Sequence, residues 1–246
     1  MSASAAAKNP PLPALVTEHP TISDHHLEQL ASDRFVVIDN FLSAEEVSEI
    51  HADLQRRYAE GDMQEAGIKG VATANAEVLN VRQVVSNVRL TQTVWLNTGQ
   101  QSLAEGELLC VLDKLRARLG EYNRLSLHAD DTEVLYAHYP QGGFYKRHVD
   151  SHARGTNVRT MDTERAFSFI LYVNQRQWTP ECAGQLRMHR DVDGTSAFTD
   201  IPPIPGTLVL FYSQGQEHEV LPTSVERRAV VGWFRVRNHR PSGLYI

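Results

Sequence analysis

Short apolar runs separated by turn residues dominate the second half of the chain. From Thr132 onward, segments such as "TEVLYAHY", "FSFILYVN" and "GTLVLFY" are divided by clusters of Gly, Pro, Asn and Asp. No segment between them has a helical period. Serial short strands with this punctuation are typical of an antiparallel sandwich or barrel. The pattern therefore predicts a β jelly roll.

Two helices are predicted ahead of these strands. Ser43 stands three residues before Glu46, which is the spacing of a capping box. The apolar positions that follow recur at helical spacing until about Gly61. The second helix is expected over Leu103–Leu119, with Gly120 ending it.

The other segments predict strands and loops. Phe35–Ile38 is a short β-rich run, and a long loop or hairpin from Gly67 is expected to lead into a strand over Thr93–Leu96. The first 21 residues, rich in Ala, Ser and Pro, are predicted to be a flexible arm. We expect an α+β, mainly β chain: a double-stranded β-helix (jelly roll) with supporting N-terminal helices. Residues 22–246 would form a single domain, with the β-helix core at about 132–236.

Composition narrows the classes of function. A net charge of −6 over 246 residues argues against a general nucleic-acid binder, which usually needs a basic surface. Two cysteines, Cys110 and Cys182, are fewer than a secreted scaffold would use. No apolar run is long enough to span a bilayer, and the N-terminus does not resemble a secretory signal. We expect no membrane partner and a cytoplasmic location, with the nucleus left open.

Candidate metal ligands lie in the stretch "YKRHVDSH". His148 and Asp150 are two positions apart, so in an extended segment they share a face. Such a pair is common as a surface or hydrogen-bonded pair. His218, at the start of a later strand, would complete a facial triad of two histidines and one carboxylate. His152 is a competing ligand.

Arg227 begins the apolar strand "RRAVVGWF". The alternation of a strand puts Arg227 on the same face as Ala229 and Trp233. These residues are small or apolar, so this face is expected to be the interior one. A buried arginine requires an anion, so a ligand carboxylate is one candidate partner. A salt bridge to Glu226 or Glu219 is the structural alternative.

The motifs "YPQGGFYKRHVD", "ILYVN", "AGQLRM", "PGTLVLF", "HEVLP" and "RRAVVGWF" together resemble a known family. They are similar to the catalytic domain of the Fe(II)- and 2-oxoglutarate-dependent dioxygenases. The likeness is to the prolyl 4-hydroxylase branch, and within it to the soluble hypoxia-type prolyl hydroxylases. It spans about Phe35 to Arg235.

The resemblance implies an enzyme that hydroxylates a prolyl residue of a protein, releasing succinate and CO₂. Its cofactors would be Fe(II), the cosubstrate 2-oxoglutarate and O₂, and it allows for ascorbate. Iron would be bound by His148, Asp150 and His218. The cosubstrate would be bound by Arg227, Tyr172, Tyr139, Trp233 and Leu186. The substrate would be bound by Arg165 and Arg89.

Three positions depart from the family pattern. A paired glycine is Ala183-Gly184 here, Thr91 replaces an aspartate near Arg89, and Val231 replaces a threonine. The expected partner is a proline-containing protein or peptide, tied to oxygen sensing or to translation. The alternatives are an oxygenase acting on a small molecule or a nucleobase, a zinc hydrolase or non-catalytic metal-binding jelly roll, and an interaction module with a vestigial site.

Overall fold

The computed structural model describes residues 22–67, 86–96, 101–151, 163–192 and 195–237. Over these residues there are three α-helices, a short 3₁₀-helix and twelve strands. The helices are α1 (Asp24–Asp33), α2 (Ala44–Ala59) and α3 (Leu103–Asn123), with the 3₁₀-helix at Pro180–Cys182. The strands are β1 (Phe35–Ile38), β2 (Gln64–Glu65), β3 (Arg89–Leu90), β4 (Gln92–Trp95), β5 (Glu133–Tyr139), β6 (Phe144–His148), β7 (Thr163–Tyr172), β8 (Leu186–Val192), β9 (Thr195–Ile201), β10 (Leu208–Tyr212), β11 (His218–Val220) and β12 (Arg227–Arg237).

Two antiparallel sheets form the jelly roll. The major sheet has the strand order β1-β10-β7-β12-β5-β4-β2, and the minor sheet has the order β3-β6-β11-β8-β9. Several neighbours in each sheet are distant in sequence, such as β1 and β10 or β6 and β11, which brings strands of both halves of the chain into one barrel. The predicted fold class, mainly β with supporting helices, is confirmed.

The alternation along each strand creates two cores. One set of side chains fills the space between the sheets, and it includes Leu135, Tyr172, Met188 and Trp233. The alternate set faces the helices, where it packs against the apolar stripes of α2 and α3. The major sheet is therefore buried on both faces, and the interior between the sheets is supported from behind by the helices.

The helix starts agree with the sequence, but one helix end does not. Ser43 and Glu46 form the predicted capping box of α2. The prediction that Gly120 ends α3 is wrong, because the helix continues to Asn123. Gly120 lies in the last turns of α3, and the chain that turns back after the helix passes close to it, so a Cβ there would be 2.9 Å from the carbonyl oxygen of Leu125. The glycine thus permits the return of the chain after the helix.

Other differences are smaller. The strand expected at 93–96 is β4, one residue earlier. Helix α1 and strand β9 were not predicted. The expected N-terminal arm and most of the expected loop after Gly67 lie outside the described residues, and the single-domain boundary stays a prediction.

Within the described ranges, no helix is long and apolar enough to cross a membrane.

Arg228 connects α2 to the helix-facing side of the major sheet. Its NH1 lies 2.7 Å from Nε2 of His51, its Nε is 3.5 Å from Nδ1 of His138, and its NH2 pairs with Glu226 at 2.9 Å. Nδ1 of His51 donates to the carbonyl of Val173 at 2.8 Å. Nε2 can therefore accept from Arg228 only while the imidazole is neutral. Burial, reinforced by the charge of Arg228, lowers the pKa of both histidines.

Acidification is expected to weaken this connection. Because the pKa of His51 is lower in the folded protein, its contribution to stability is full above about pH 6.5 and is lost as the pH falls below it. In His51→Gln the decrease in the free energy of unfolding between about pH 7.5 and about pH 5.5 should be smaller by up to about 1 kcal/mol. Denaturant titrations at both pH values measure it, with the exposed His25→Gln as control. Equal pH dependence in His51→Gln and the unsubstituted protein would contradict this reading.

Candidate metal and anion site

Adjacent strands of the minor sheet bring the two candidate histidines together. β6 ends at His148 and β11 begins at His218, and the antiparallel register pairs these two residues directly. Asp150 follows β6 by two residues. Side chains that are about seventy positions apart in sequence therefore meet at one end of the barrel.

The ligand atoms of His148, Asp150 and His218 all lie within 4.8 Å of one another. Nε2 of His148 is 3.6 Å from one carboxylate oxygen of Asp150, and Nε2 of His218 is 3.7 Å from the other. These separations are too long for hydrogen bonds. Two imidazole nitrogens and a carboxylate facing a common point fit the donor set of a facial-triad metal site.

Backbone contacts fix the orientation of both imidazoles. Nδ1 of His148 is 2.7 Å from the carbonyl of Lys146, and Nδ1 of His218 is 3.0 Å from the carbonyl of Gln216. A carbonyl can only accept, so each Nδ1 carries the proton and each Nε2 presents its lone pair to the common point. This arrangement prepares the site for a divalent cation.

The pKa values of the triad agree with a cation site. Burial, with the neighbouring His218, lowers the pKa of His148 to about 3. Burial alone would raise the pKa of Asp150, but the two imidazoles, Arg165 and the indole of Trp233 together bring it below its ordinary value. At neutral pH the imidazole of His148 is therefore neutral and the carboxylate of Asp150 is charged, the forms in which these groups bind a metal.

Arg227 lies deeper in the barrel and is fully buried. Its guanidinium has no hydrogen-bond partner on any of its three nitrogens among the described residues. The two acids considered as alternatives are engaged elsewhere, because Glu226 pairs with Arg228 and Glu219 with His189. A buried cation without a counter-ion is costly, so the interior is complete only when an anion is bound.

Two tyrosines line the space around Arg227. Its Cζ is 4.8 Å from the ring centroid of Tyr139 and 5.1 Å from that of Tyr172. The hydroxyl of Tyr172 is buried and also without a partner in the described structure. Burial raises the pKa of Tyr172 to about 12, with the charge of Arg227 acting against it, so the hydroxyl stays protonated. A carboxylate here would receive donors from both side chains.

Leu186 and the residues before it form another wall of this space. Leu186 is buried in the interior core. A Cβ on Gly184 would lie 3.4 Å from Cδ of Arg227 and 2.8 Å from the side chain of Thr223. Glycine at 184, where φ is 71°, therefore permits the close approach of Thr223, and Arg227 passes next to it. Val231, which replaces a threonine, is a partly buried member of the same core.

The remaining candidates surround the triad. Trp233 lies in the interior, and its indole helps to lower the pKa of Asp150. The guanidinium of Arg165 stacks on the ring of Trp233, with Cζ 3.6 Å from the ring centroid. Arg89 lies 4.5 Å from the ring of Tyr145, which it opposes across β3 and β6. These contacts connect Trp233 and Arg165 with Asp150, and Arg89 with Tyr145 beside His148. His152 lies outside the described residues.

Sequence reasoning missed Tyr145 and Phe211. Tyr145 stacks on the imidazole of His148 at 3.6 Å between centroids, and Phe211 meets His218 edge-on at 4.7 Å. Both hold the imidazoles in place by packing. The signal available for Tyr145 was its position three residues before His148. Phe211 had no local signal, because its contact arises from the facing sheet.

Comparisons with known proteins agree with this geometry. A model of the 2OG-Fe(II) oxygenase superfamily matches residues 134–235, the segment from β5 to β12. A crystal structure of a prolyl-4-hydroxylase from Pseudomonas putida is 32% identical, covers 87% of this chain and 99% of that chain, and has a TM-score of 0.69. The chain belongs to the 2OG-Fe(II) oxygenase superfamily.

Two further relatives of this oxygenase are informative. A prolyl hydroxylase from Trichoplax adhaerens, solved with a hypoxia-inducible-factor peptide, is 24% identical, covers 86% of this chain and 87% of that chain, and has a TM-score of 0.67. A hypoxia-inducible factor prolyl hydroxylase of Caenorhabditis elegans is 21% identical over 94% of this chain. The chain spans only 30% of the length of that curated relative.

Oxygenases of this superfamily use Fe(II), 2-oxoglutarate and O₂. The described residues fit these groups on independent grounds. The donor set of two imidazole nitrogens and one carboxylate suits Fe(II). The partnerless guanidinium of Arg227 and hydroxyl of Tyr172 suit the distal carboxylate of a diacid.

Ala183 is strained beside this site. It has φ 54° and ψ −149°, a conformation that favours glycine. Its carbonyl accepts from Nε1 of Trp178 at 2.9 Å, so local contacts hold the strain. The resemblance described above aligns this position with the first glycine of a pair, where this chain has alanine.

Ala183→Gly is expected to raise the free energy of unfolding by about 1 kcal/mol, because it removes the Cβ clash of the positive φ. Chemical denaturation measures the change. Ala197→Gly in β9 is the matched control and should lower stability by about 0.5–1 kcal/mol, as glycine usually does within a strand. A loss of stability at position 183 as large as that of the control would contradict the strain.

Proposed function

We propose that this oxygenase hydroxylates a prolyl residue of a protein or peptide, coupled to oxidative decarboxylation of 2-oxoglutarate. The observation that carries the proposal is the pairing of the His148, Asp150 and His218 cluster with the buried, uncompensated Arg227. The prolyl specificity rests on the likeness to the Pseudomonas putida prolyl-4-hydroxylase, which extends over 99% of that chain.

Each side chain of the site is assigned a role. His148, Asp150 and His218 bind Fe(II), with Tyr145 and Phe211 holding the two imidazoles by packing. Arg227 and the protonated hydroxyl of Tyr172 donate to the distal carboxylate of 2-oxoglutarate. Tyr139 packs against the guanidinium, and Leu186 excludes water from the cosubstrate.

The bound groups supply the oxidising chemistry. One atom of O₂ enters the hydroxyl group of the product and the other enters succinate, with CO₂ as the second product of 2-oxoglutarate. The protein orients the reactants and excludes water, so that the oxidation is directed to one C–H bond of the substrate. No further reductant is needed for this balance.

The substrate is assigned to the end of the barrel where the triad lies. Trp233, Arg165 and Arg89 surround this opening, and the short strand β3 forms the edge of the minor sheet next to it. An edge strand suits an extended polypeptide, which can pair with it through its backbone. We place the enzyme in the cytoplasm, in agreement with its two free cysteines.

The anion role of Arg227 is tested by Arg227→Met. The affinity for 2-oxoglutarate should fall by about 100-fold, because a buried charged hydrogen-bonded contact contributes about 3 kcal/mol. An anaerobic titration with Fe(II) and 2-oxoglutarate, followed by the visible charge-transfer absorption, measures it. Arg187→Met, on the outer side of the minor sheet, is the control. Equal affinity for 2-oxoglutarate in Arg227→Met and the control would show that Arg227 does not bind this anion.

The substrate class is tested by a peptide screen. Proline-containing peptides incubated with enzyme, Fe(II), 2-oxoglutarate, ascorbate and O₂ should gain one oxygen atom on proline, detected by mass spectrometry. The matched peptides carry alanine in place of proline and should stay unmodified. Modification of free amino acids or nucleobases alone would contradict the prolyl assignment and leave the oxygenase assignment intact.

A further inference from the structure

Glu133 holds two arginines at the opening of the barrel. Its Oε2 accepts from Nε and NH2 of Arg165 at 2.7 and 2.5 Å. Its Oε1 accepts from NH1 of Arg235 at 2.6 Å. The carboxylate is thus divided between the two cations, one oxygen to each. Glu133 begins β5 and lies directly opposite Trp233 in the register with β12.

Arg235 fixes the carboxylate from the interior. Only 7% of Arg235 is exposed. Its Nε donates to the hydroxyl of Thr163 at 2.8 Å and its NH2 to the carbonyl of Thr163 at 2.6 Å. Because this arginine is held on both sides, the oxygen of Glu133 that faces Arg165 has one defined direction.

Arg165 is the partner whose position affects the site. Its guanidinium covers the indole of Trp233, with Cζ 3.6 Å from the ring centroid. Trp233 belongs to the core between the two sheets, so Arg165 lies where that core meets the surface. Its side chain is 26% exposed, so it forms part of the wall that a bound substrate meets.

The indole alone would hold this guanidinium weakly. An arginine side chain has large rotamer freedom, and a partly exposed cation–π contact is a small interaction by comparison. Glu133 takes the Nε edge of the fork in a two-point contact, which fixes its plane. The NH1 side has no partner among the described residues and remains available to an acceptor.

We propose that Glu133 is a positioning residue for substrate recognition. It fixes Arg165 against Trp233 so that the NH1 side of the guanidinium meets a carbonyl or carboxylate of the bound polypeptide. Glu133 itself acts through Arg165 and does not touch the substrate. This inference rests on the proposed function for the identity of the substrate, but the placement of Arg165 can be measured without it.

Glu133→Gln tests the proposal, since it keeps the shape of the side chain and removes its charge. For the proline peptide selected in the screen, KM should rise on the order of tenfold while kcat changes less than about twofold, as expected for loss of one charge-assisted contact. The affinity for 2-oxoglutarate should be unchanged. Asp200→Asn, which breaks the Arg187–Asp200 pair on the outer side of the minor sheet, is the matched control and should leave both constants unchanged.

A double-variant cycle separates positioning from simple bracing of the sheet. Adding Glu133→Gln to Arg165→Ala should give no further rise in KM, because the glutamate acts through the arginine. An unchanged KM in Glu133→Gln, or additive rises of KM in the double variant, would overturn the proposal. A lower kcat, a higher KM and a weaker affinity for 2-oxoglutarate together, with a lowered melting temperature, would also overturn it, by showing a structural role.

A crystal structure of Glu133→Gln judges the placement itself. The guanidinium of Arg165 should leave the indole of Trp233, while in Asp200→Asn it should stay. If it stays in Glu133→Gln, the inference fails even when prolyl hydroxylation is established. If no peptide is hydroxylated by the unsubstituted enzyme, the proposed function fails, and the structure of Glu133→Gln still decides whether the carboxylate holds Arg165.

Discussion

A positive charge buried without a counter-charge is the constraint that organises the interior of this protein. Arg227 is fully buried, and its three nitrogens have no hydrogen-bond partner within the described residues. Such a side chain lowers stability unless an anion accompanies it. The nearby hydroxyl of Tyr172, buried and equally without a partner, gives the anion a second donor. The interior is therefore arranged for a ligand and not for maximal stability.

Strand β12 connects this charge to the rest of the fold. Its inner face carries Arg227 and Trp233, one toward the anion space and one toward the triad. Its outer face carries Arg228, which is held by His51 of α2. The helices, which contribute no residue to the triad or to the anion space, thus support the strand from which the site is built. The register of β6 and β11 then places the metal-ligating histidines beside it.

Local patterns in the sequence predicted much of this site. The two-residue period of β12 placed Arg227 in the interior, and the H-x-D spacing placed His148 and Asp150 on one face. The membership of His218 was inferred from its place at the start of a later strand, because strands that are distant in sequence lie side by side in a jelly roll. The resemblance to a family implied the same ligand. The same resemblance supplied Tyr172, Tyr139 and Leu186, which have no distinguishing local pattern.

The features that the sequence did not predict arise from contacts between distant elements. Glu133 stands in "DDTEV", where an acidic residue is ordinary, and its role appears only when β7 and β12 bring Arg165 and Arg235 to it. Glycine commonly ends helices, but the close approach of Leu125 explains better why residue 120 is glycine. The register of the strands and the path of the chain after a helix depend on the whole fold, so a local hydrophobic pattern does not predict them.

An anaerobic crystal structure with Fe(II) and 2-oxoglutarate, with diffraction data collected at the iron absorption edge, tests the central claim most directly. We expect one iron bound by Nε2 of His148, Nε2 of His218 and the carboxylate of Asp150, with the distal carboxylate of 2-oxoglutarate in a two-point contact with Arg227. Iron elsewhere, or a cosubstrate whose distal carboxylate does not reach Arg227, would contradict it.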